Sequence, residues 1–248
     1  MYILSIIYVL IRDLMNMQKI QKPYAGKIIA VAIKKGGTGK SVFSMNIAPE
    51  VEPDVFYDTD DTPAVSTFNQ FRPEDKQWNV IRLTDKIMMS SGSTIQQFAS
   101  DLIDAREQGK TVLVDCGGFD SALTRTAVAL ADIIISPVND DPSDILGLQE
   151  FSTVLNEISA EMGIKKVAHV VLNKVHPTRT NFKAIDTHLE RFDNLIRVDT
   201  AIPRDNIIPE KFGEGLGIVE HITTRHGRAG NAMRSLYLDM RKILDEMQ

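Results

Sequence analysis

Short apolar runs, each closing on a polar or glycine-rich stretch and followed by a longer segment of helical spacing, recur along most of this chain. Lys27-Ile28-Ile29-Ala30-Val31-Ala32-Ile33, Val55-Phe56-Tyr57, Thr111-Val112-Leu113-Val114, Asp132 to Val138 and Val167 to Lys174 read as buried strands. Between and after them, Ser41 to Ala48, Ser93 to Gly109, Ser121 to Ala131, Pro142 to Gly163 and Asn181 to Phe192 carry the helical pattern. This alternation predicts an α/β fold, a doubly wound and mostly parallel sheet with helices on both faces. Pro49 and Pro53 should stop the first helix early, leaving about 10 residues. Met233, Leu236, Tyr237, Met240, Ile243, Leu244 and Met247 follow helical spacing near the C-terminus and predict a docked core helix, because the opposite face mixes acids with bases.

The first strand runs into Lys35-Gly36-Gly37-Thr38-Gly39-Lys40-Ser41, and a helix follows. A polyphosphate needs many donors at close range. Glycines at 36, 37 and 39 let backbone N–H groups turn inward with no Cβ in the way. Lys40 would reach the β and γ phosphates, and the Ser41 hydroxyl would ligate Mg²⁺, a hard ion that prefers oxygen. Two later acidic stretches end strand-like runs: Asp58-Thr59-Asp60-Asp61 and Asp115-Cys116-Gly117-Gly118. Ligands collect at such strand ends in open α/β sheets. Asp61 reads as a solvated loop residue, and Asp120 as part of a helix start outside the site.

The strict phosphate-loop pattern fails at position 34, which is lysine, but the form K-G-G-x-G-K-[ST] fits. In this the chain resembles the ParA/MinD family of deviant Walker A P-loop ATPases, most of all the ParA-type partition ATPases, over roughly residues 27 to 220. The resemblance implies ATP and Mg²⁺ as ligands and a homodimer formed with ATP. It gives Lys35 the role of reaching the partner subunit's nucleotide, Asp60 that of positioning the attacking water, and Asp58 and Asp115 places beside Mg²⁺, the latter through water. It also implies that Asn173 meets the adenine edge and that Pro203 and Arg204 cover the other side of the base. Asp61-Thr62-Pro63 departs from the family's usual sequence after the D-x-D motif, so the first switch loop is altered.

The 248 residues fit one domain, drawn as residues 27–248 behind an apolar extension, 1–26. Met1 to Ile11 is too short to span a bilayer. An interfacial membrane anchor, a helix packing on the body or a partner, and an upstream start codon remain open for it. Cys116 is the only cysteine, which excludes an intrachain disulfide, removes the iron–sulfur branch of the family and fits a cytoplasmic setting of bacterial type. From Arg204 to Gln248 acids and bases balance, seven of each, while the whole chain carries −5. Arg225, Arg228 and Arg234 could still form a local patch for nonspecific DNA around the His226-Gly227 turn.

The leading expectation is an ATP-dependent dimerising switch that segregates or positions DNA, working with a DNA-binding adaptor and associated with the nucleoid. A relative that positions a conjugation, secretion or membrane-bound cargo is the alternative. A metabolic P-loop ligase or kinase is a third reading, although no acceptor-site motif is present.

Overall fold

The computed structural model describes residues 22–117 and 120–247. The calls on the stretch 1–11 and on Gly118 fall outside the described residues. Seven strands form one sheet: β1 (Ile28–Val31), β2 (Val55–Asp58), β3 (Val80–Arg82), β4 (Val112–Asp115), β5 (Ile133–Val138), β6 (Ala168–Val175) and β7 (Leu195–Pro203). Their order is β3-β2-β4-β1-β5-β6-β7, and every pairing is parallel. The doubly wound α/β reading therefore holds. The helices are α1 (Lys40–Val51), α2 (Ala64–Phe71), α3 (Asp85–Ser91), α4 (Ile95–Glu107), α5 (Ala122–Leu130), α6 (Pro142–Met162), α7 (Lys183–Leu189), the short α8 (Ile207–Glu210) and α9 (Arg228–Asp245).

Successive side chains of a strand point to opposite faces, so a fully buried strand feeds two cores. In β1, Ile28 and Ala30 join a core with Phe98, Leu102, Leu123 and Phe151, on the face covered by α4 to α7. Ile29 and Val31 join the other, with Phe43, Phe68, Met233, Leu236 and Met240, on the face covered by α1, α2 and α9. The C-terminal segment is thus the docked helix that its spacing predicts, except that Met247 stays exposed. Tyr24 is fully buried in the second core and its carbonyl accepts the Thr111 hydroxyl, so the packed body reaches back to Lys22, ahead of the boundary drawn at Lys27.

Pro49 does not end the first helix. α1 runs through it to Val51, and Glu52 closes the helix in a left-handed conformation, its N–H bonded to Ala48 O. Proline costs an interior helix one backbone bond. Here the segment from Phe43 to Ala48 is buried on all sides of the turn, and that packing outweighs the local penalty.

The segment after β7 crosses the ends of α1 and α2 and is pinned by Arg72. Its guanidinium lies 3.8 Å from the Trp78 ring centroid, bonds Glu220 at 2.7 and 2.8 Å, and donates to Gly215 O at 3.0 Å. Gly215 sits at φ 65°, where an added Cβ would come 2.3 Å from the Phe71 backbone. Ile218 N donates to Asn46 Oδ1 of α1 at 2.9 Å. Removing one partner of a buried pair leaves the other uncompensated, so Arg72→Ala should cost about 3 kcal/mol or more in urea unfolding, while Lys86→Ala, whose pairing with Asp61 is exposed, should cost under about 1 kcal/mol.

Candidate functional site

β1, β2 and β4 end together at one edge of the sheet, with Val31 in register with Asp115 and Asp115 with Asp58. The chain leaves β1 as the glycine loop and enters α1 at Lys40. Gly37 and Gly39 take φ of 81° and 90°, the left-handed region that L side chains avoid. A Cβ at Gly36 or Gly37 would meet nothing within 4 Å, so the loop's outer wall is open to a ligand. Lys40 is buried to 5 % exposure and its ammonium donates to Lys35 O at 3.1 Å, bending back over the loop. The hydroxyl of the buried Thr38 has no partner.

Both carboxylates at the strand ends are fully buried. Asp58 Oδ2 accepts the Ser66 N–H at 2.9 Å and hydroxyl at 2.6 Å, leaving Oδ1 unpaired. Asp115 Oδ1 accepts the Ser44 hydroxyl at 2.7 Å, and its Oδ2 is unpaired. Burial pushes the Asp115 carboxyl up to about 7, and nearby Asp58 adds to the rise, against the opposing Ser41 and Ser44 hydroxyls and Lys40. Orphaned buried oxygens are uncommon and call for a partner. Hard oxygen donors beside a serine hydroxyl at a phosphate cradle fit Mg²⁺, which keeps several waters and takes few protein ligands. Ser41, Asp115 and Asp58 are the residues that would hold it.

Next to the loop, a cavity of about 260 Å³ is lined by Phe43 and Asn46 of α1, Asn173 and Lys174 of β6, Pro203 at the end of β7, and Arg204, Asn206, Ile208 and Pro209 beyond it. The structure therefore brings together the three residues that the resemblance assigns to the base. Asn173 also ties the cavity to the loop, since its amide nitrogen donates to Thr38 O at 3.0 Å. A larger cavity, about 430 Å³, lies at the opposite edge of the sheet around Arg106, Asp132 and Lys166, away from this chemistry.

Lys35 leaves the loop on the other side. Its ammonium pairs with Asp144 and donates to Ser143 Oγ at 2.6 Å, both in the first turn of α6. Asp141 caps that turn through the Ser143 and Asp144 N–H groups, and Asp144 Oδ2 accepts the Asn139 N–H at 2.8 Å. The Lys35 stem passes Gly147 of α6, where an added Cβ would stand in ordinary contact, 3.4 Å from Lys35 Cβ. Lys35 is thus engaged within its own subunit.

Asp60 lies in the loop that follows β2. Its Oδ1 accepts the Thr62 N–H at 3.0 Å in a local turn beside Gly117. Asp120 pairs with Arg125, while Ser121 caps α5. Sequence reasoning missed three contributors. Ser44 has only helical spacing to mark it, Asp144 reads as a helix-start residue, and Lys174 reads as the tail of a strand.

Fold and site define a P-loop nucleotide-binding protein of the doubly wound parallel type. The family model for ATPase MipZ matches residues 70–191. Protein ParA of Rhizobium radiobacter is 26% identical over 150 residues, 58% of this chain and 63% of that protein's length. Among solved structures, apo McdA of Cyanothece superposes with a TM-score of 0.65 at 13% identity, covering 86% of this chain and 99% of its own. MinD of Pyrococcus horikoshii, complexed with Mg-ADP, gives 0.64 at 16% identity, with 90% and 98% covered. In its loop, its fold and these matches the chain is similar to the ParA/MinD family of deviant Walker A ATPases.

The Asp115 carboxyl, raised from 3.8 to about 7 in the folded chain, contributes stability that is complete below the lower value and lost as pH rises through the upper. Urea midpoints of the metal- and nucleotide-free protein should fall between about pH 4 and about pH 7, and Asp115→Asn should flatten that fall.

Proposed function

We propose that the chain is an Mg-ATP-dependent ATPase switch that dimerises over two nucleotides and positions DNA. The observation that carries this reading is the two-lysine loop set against two buried, incompletely partnered carboxylates at one sheet edge. The N–H groups around Gly37 and Gly39 and the Lys40 ammonium bind the polyphosphate. Ser41 and Asp115 would hold Mg²⁺, with Asp58 beside them, and the ion would supply charge neutralisation to a bound polyphosphate. Asp60, on the loop after β2, orients the attacking water once its turn at Thr62 opens.

The bistable element is Lys35. In the single chain it is tied to Asp144. In the dimer it leaves α6 and meets the partner's nucleotide, so the subunits join only when both cradles are loaded. The septum site-determining protein MinD, solved with Mg-ADP, supports both the choice of ligand and a positioning role.

DNA as the cargo is favoured by one local feature. Arg225 and Arg234 both bond His226 beside the start of α9, which Arg228 opens, and none of the three has an acidic partner among the described residues. Their guanidiniums and the helix end attract phosphates without reading sequence. A DNA-binding adaptor would then stimulate hydrolysis in a cytoplasmic, nucleoid-associated setting. The alternative, a conjugation, secretion or membrane-bound cargo, would leave this cluster without a role.

Light scattering should show dimers of the wild type with Mg-ATP but none for Lys35→Ala, which should still bind ATP; Asp144→Asn should dimerise at lower ATP. Dimers of Lys35→Ala would reject the cross-subunit role. In gel shifts with Mg-ATP, duplex DNA of mixed sequence should bind at low salt and release as salt rises. Arg225→Glu combined with Arg234→Glu should weaken it at least about tenfold. Equal binding by that variant would move the proposal to the alternative cargo.

A further inference from the structure

Lys174 is one of two non-glycine residues at positive φ among those described, at 55°. The other, Glu52, ends a helix, where that conformation is ordinary. Lys174 instead lies within β6, where the register with β7 slips between Leu172 and Val175. A long side chain held in the left-handed region inside a strand needs surroundings that fix it there, and such strain clusters at ligand sites.

What fixes it is the phosphate loop. The Lys174 ammonium donates to Gly37 O at 3.2 Å, beside the Asn173 bond to Thr38 O at 3.0 Å. Its stem crosses Gly39 so closely that a Cβ there would be 2.9 Å from Lys174 Cε. The same side chain lines the cavity that holds Asn173, Pro203 and Arg204. An ordinary strand conformation would direct it elsewhere. The slip in register turns it over the boundary between cradle and cavity.

We propose that Lys174 is a nucleotide-positioning residue, whose ammonium fixes the Gly37 carbonyl so that the loop's N–H groups face the phosphates, and whose stem forms the cavity wall against which the nucleobase lies. This rests on the reading that the cradle and the cavity together take a nucleoside polyphosphate. The two halves of the side chain then have separable effects. Loss of the ammonium loosens the cradle for any polyphosphate. Loss of the stem weakens only ligands that carry a base.

Calorimetry with Mg-ADP and with inorganic tripolyphosphate separates them, using Lys174→Met, which keeps a stem, and Lys174→Gly, which keeps neither half and relieves the backbone. Lys174→Met should weaken both probes by at least about fivefold. Lys174→Gly should weaken Mg-ADP by a further factor of about three or more without further loss of tripolyphosphate. The melting temperature of the nucleotide-free Lys174→Gly protein should equal or exceed that of the wild type, because glycine accepts the left-handed conformation. Mg-ADP affinities within about twofold of wild type in both variants would overturn the proposal, as would a loss of affinity that merely follows a fall in melting temperature. If the wild type binds neither probe, the nucleotide reading itself fails.

Discussion

Asp58 and Asp115 lie side by side at the ends of adjacent strands, fully buried, each with an oxygen that nothing in the chain satisfies. The rest of the site depends on that unrelieved pair. Two carboxylates in a low-dielectric setting repel one another, and their desolvation is costly unless a cation arrives. The parallel register of β1, β2 and β4 forces them together and sets them below the phosphate loop. Folding therefore creates a demand for positive charge where a polyphosphate is held, which a metal–nucleotide complex meets.

Around that centre the loop is held from two sides. α6 holds Lys35 through Asp144 and Ser143, and β6 holds the carbonyls of Gly37 and Thr38 through Lys174 and Asn173. The first attachment is an ion pair that a competing phosphate can displace, while the second carries the cradle's shape. One phosphate loop is thus gripped on one flank by an ion pair and on the other by bonds to its own carbonyls. The Arg72–Glu220 pair sets the remaining wall, since it anchors the segment beyond Asn206 to Pro209.

Much of this was legible in the sequence because buried parallel strands are continuous apolar runs: β1, β2, β4, β5 and β6 all announce themselves. The edge strands do not. β3 is three residues long with half-exposed positions, and β7 interleaves Arg197, Asp199 and Thr200 with its apolar residues, so neither forms an unbroken run. Pro49 misled for the opposite reason, since a local rule gave way to burial of α1 on both sheet and C-terminal helix. Lys40 and Ser41 could be read from the loop's own chemistry, and Lys35, Asp58 and Asp115 from the resemblance that the loop motif carries. Asp144 and Lys174 could not, because their roles arise from contacts more than a hundred residues away along the chain.

The central claim is that the loop and the buried carboxylates form one site for a metal-bound nucleotide. Calorimetric titration of the full chain with ADP, with and without Mg²⁺, tests it most directly when repeated on Lys40→Ala. The account predicts saturable binding, one nucleotide per chain, tighter with Mg²⁺ and lost in the variant. Binding that ignores Mg²⁺ and survives the loss of Lys40 would contradict it.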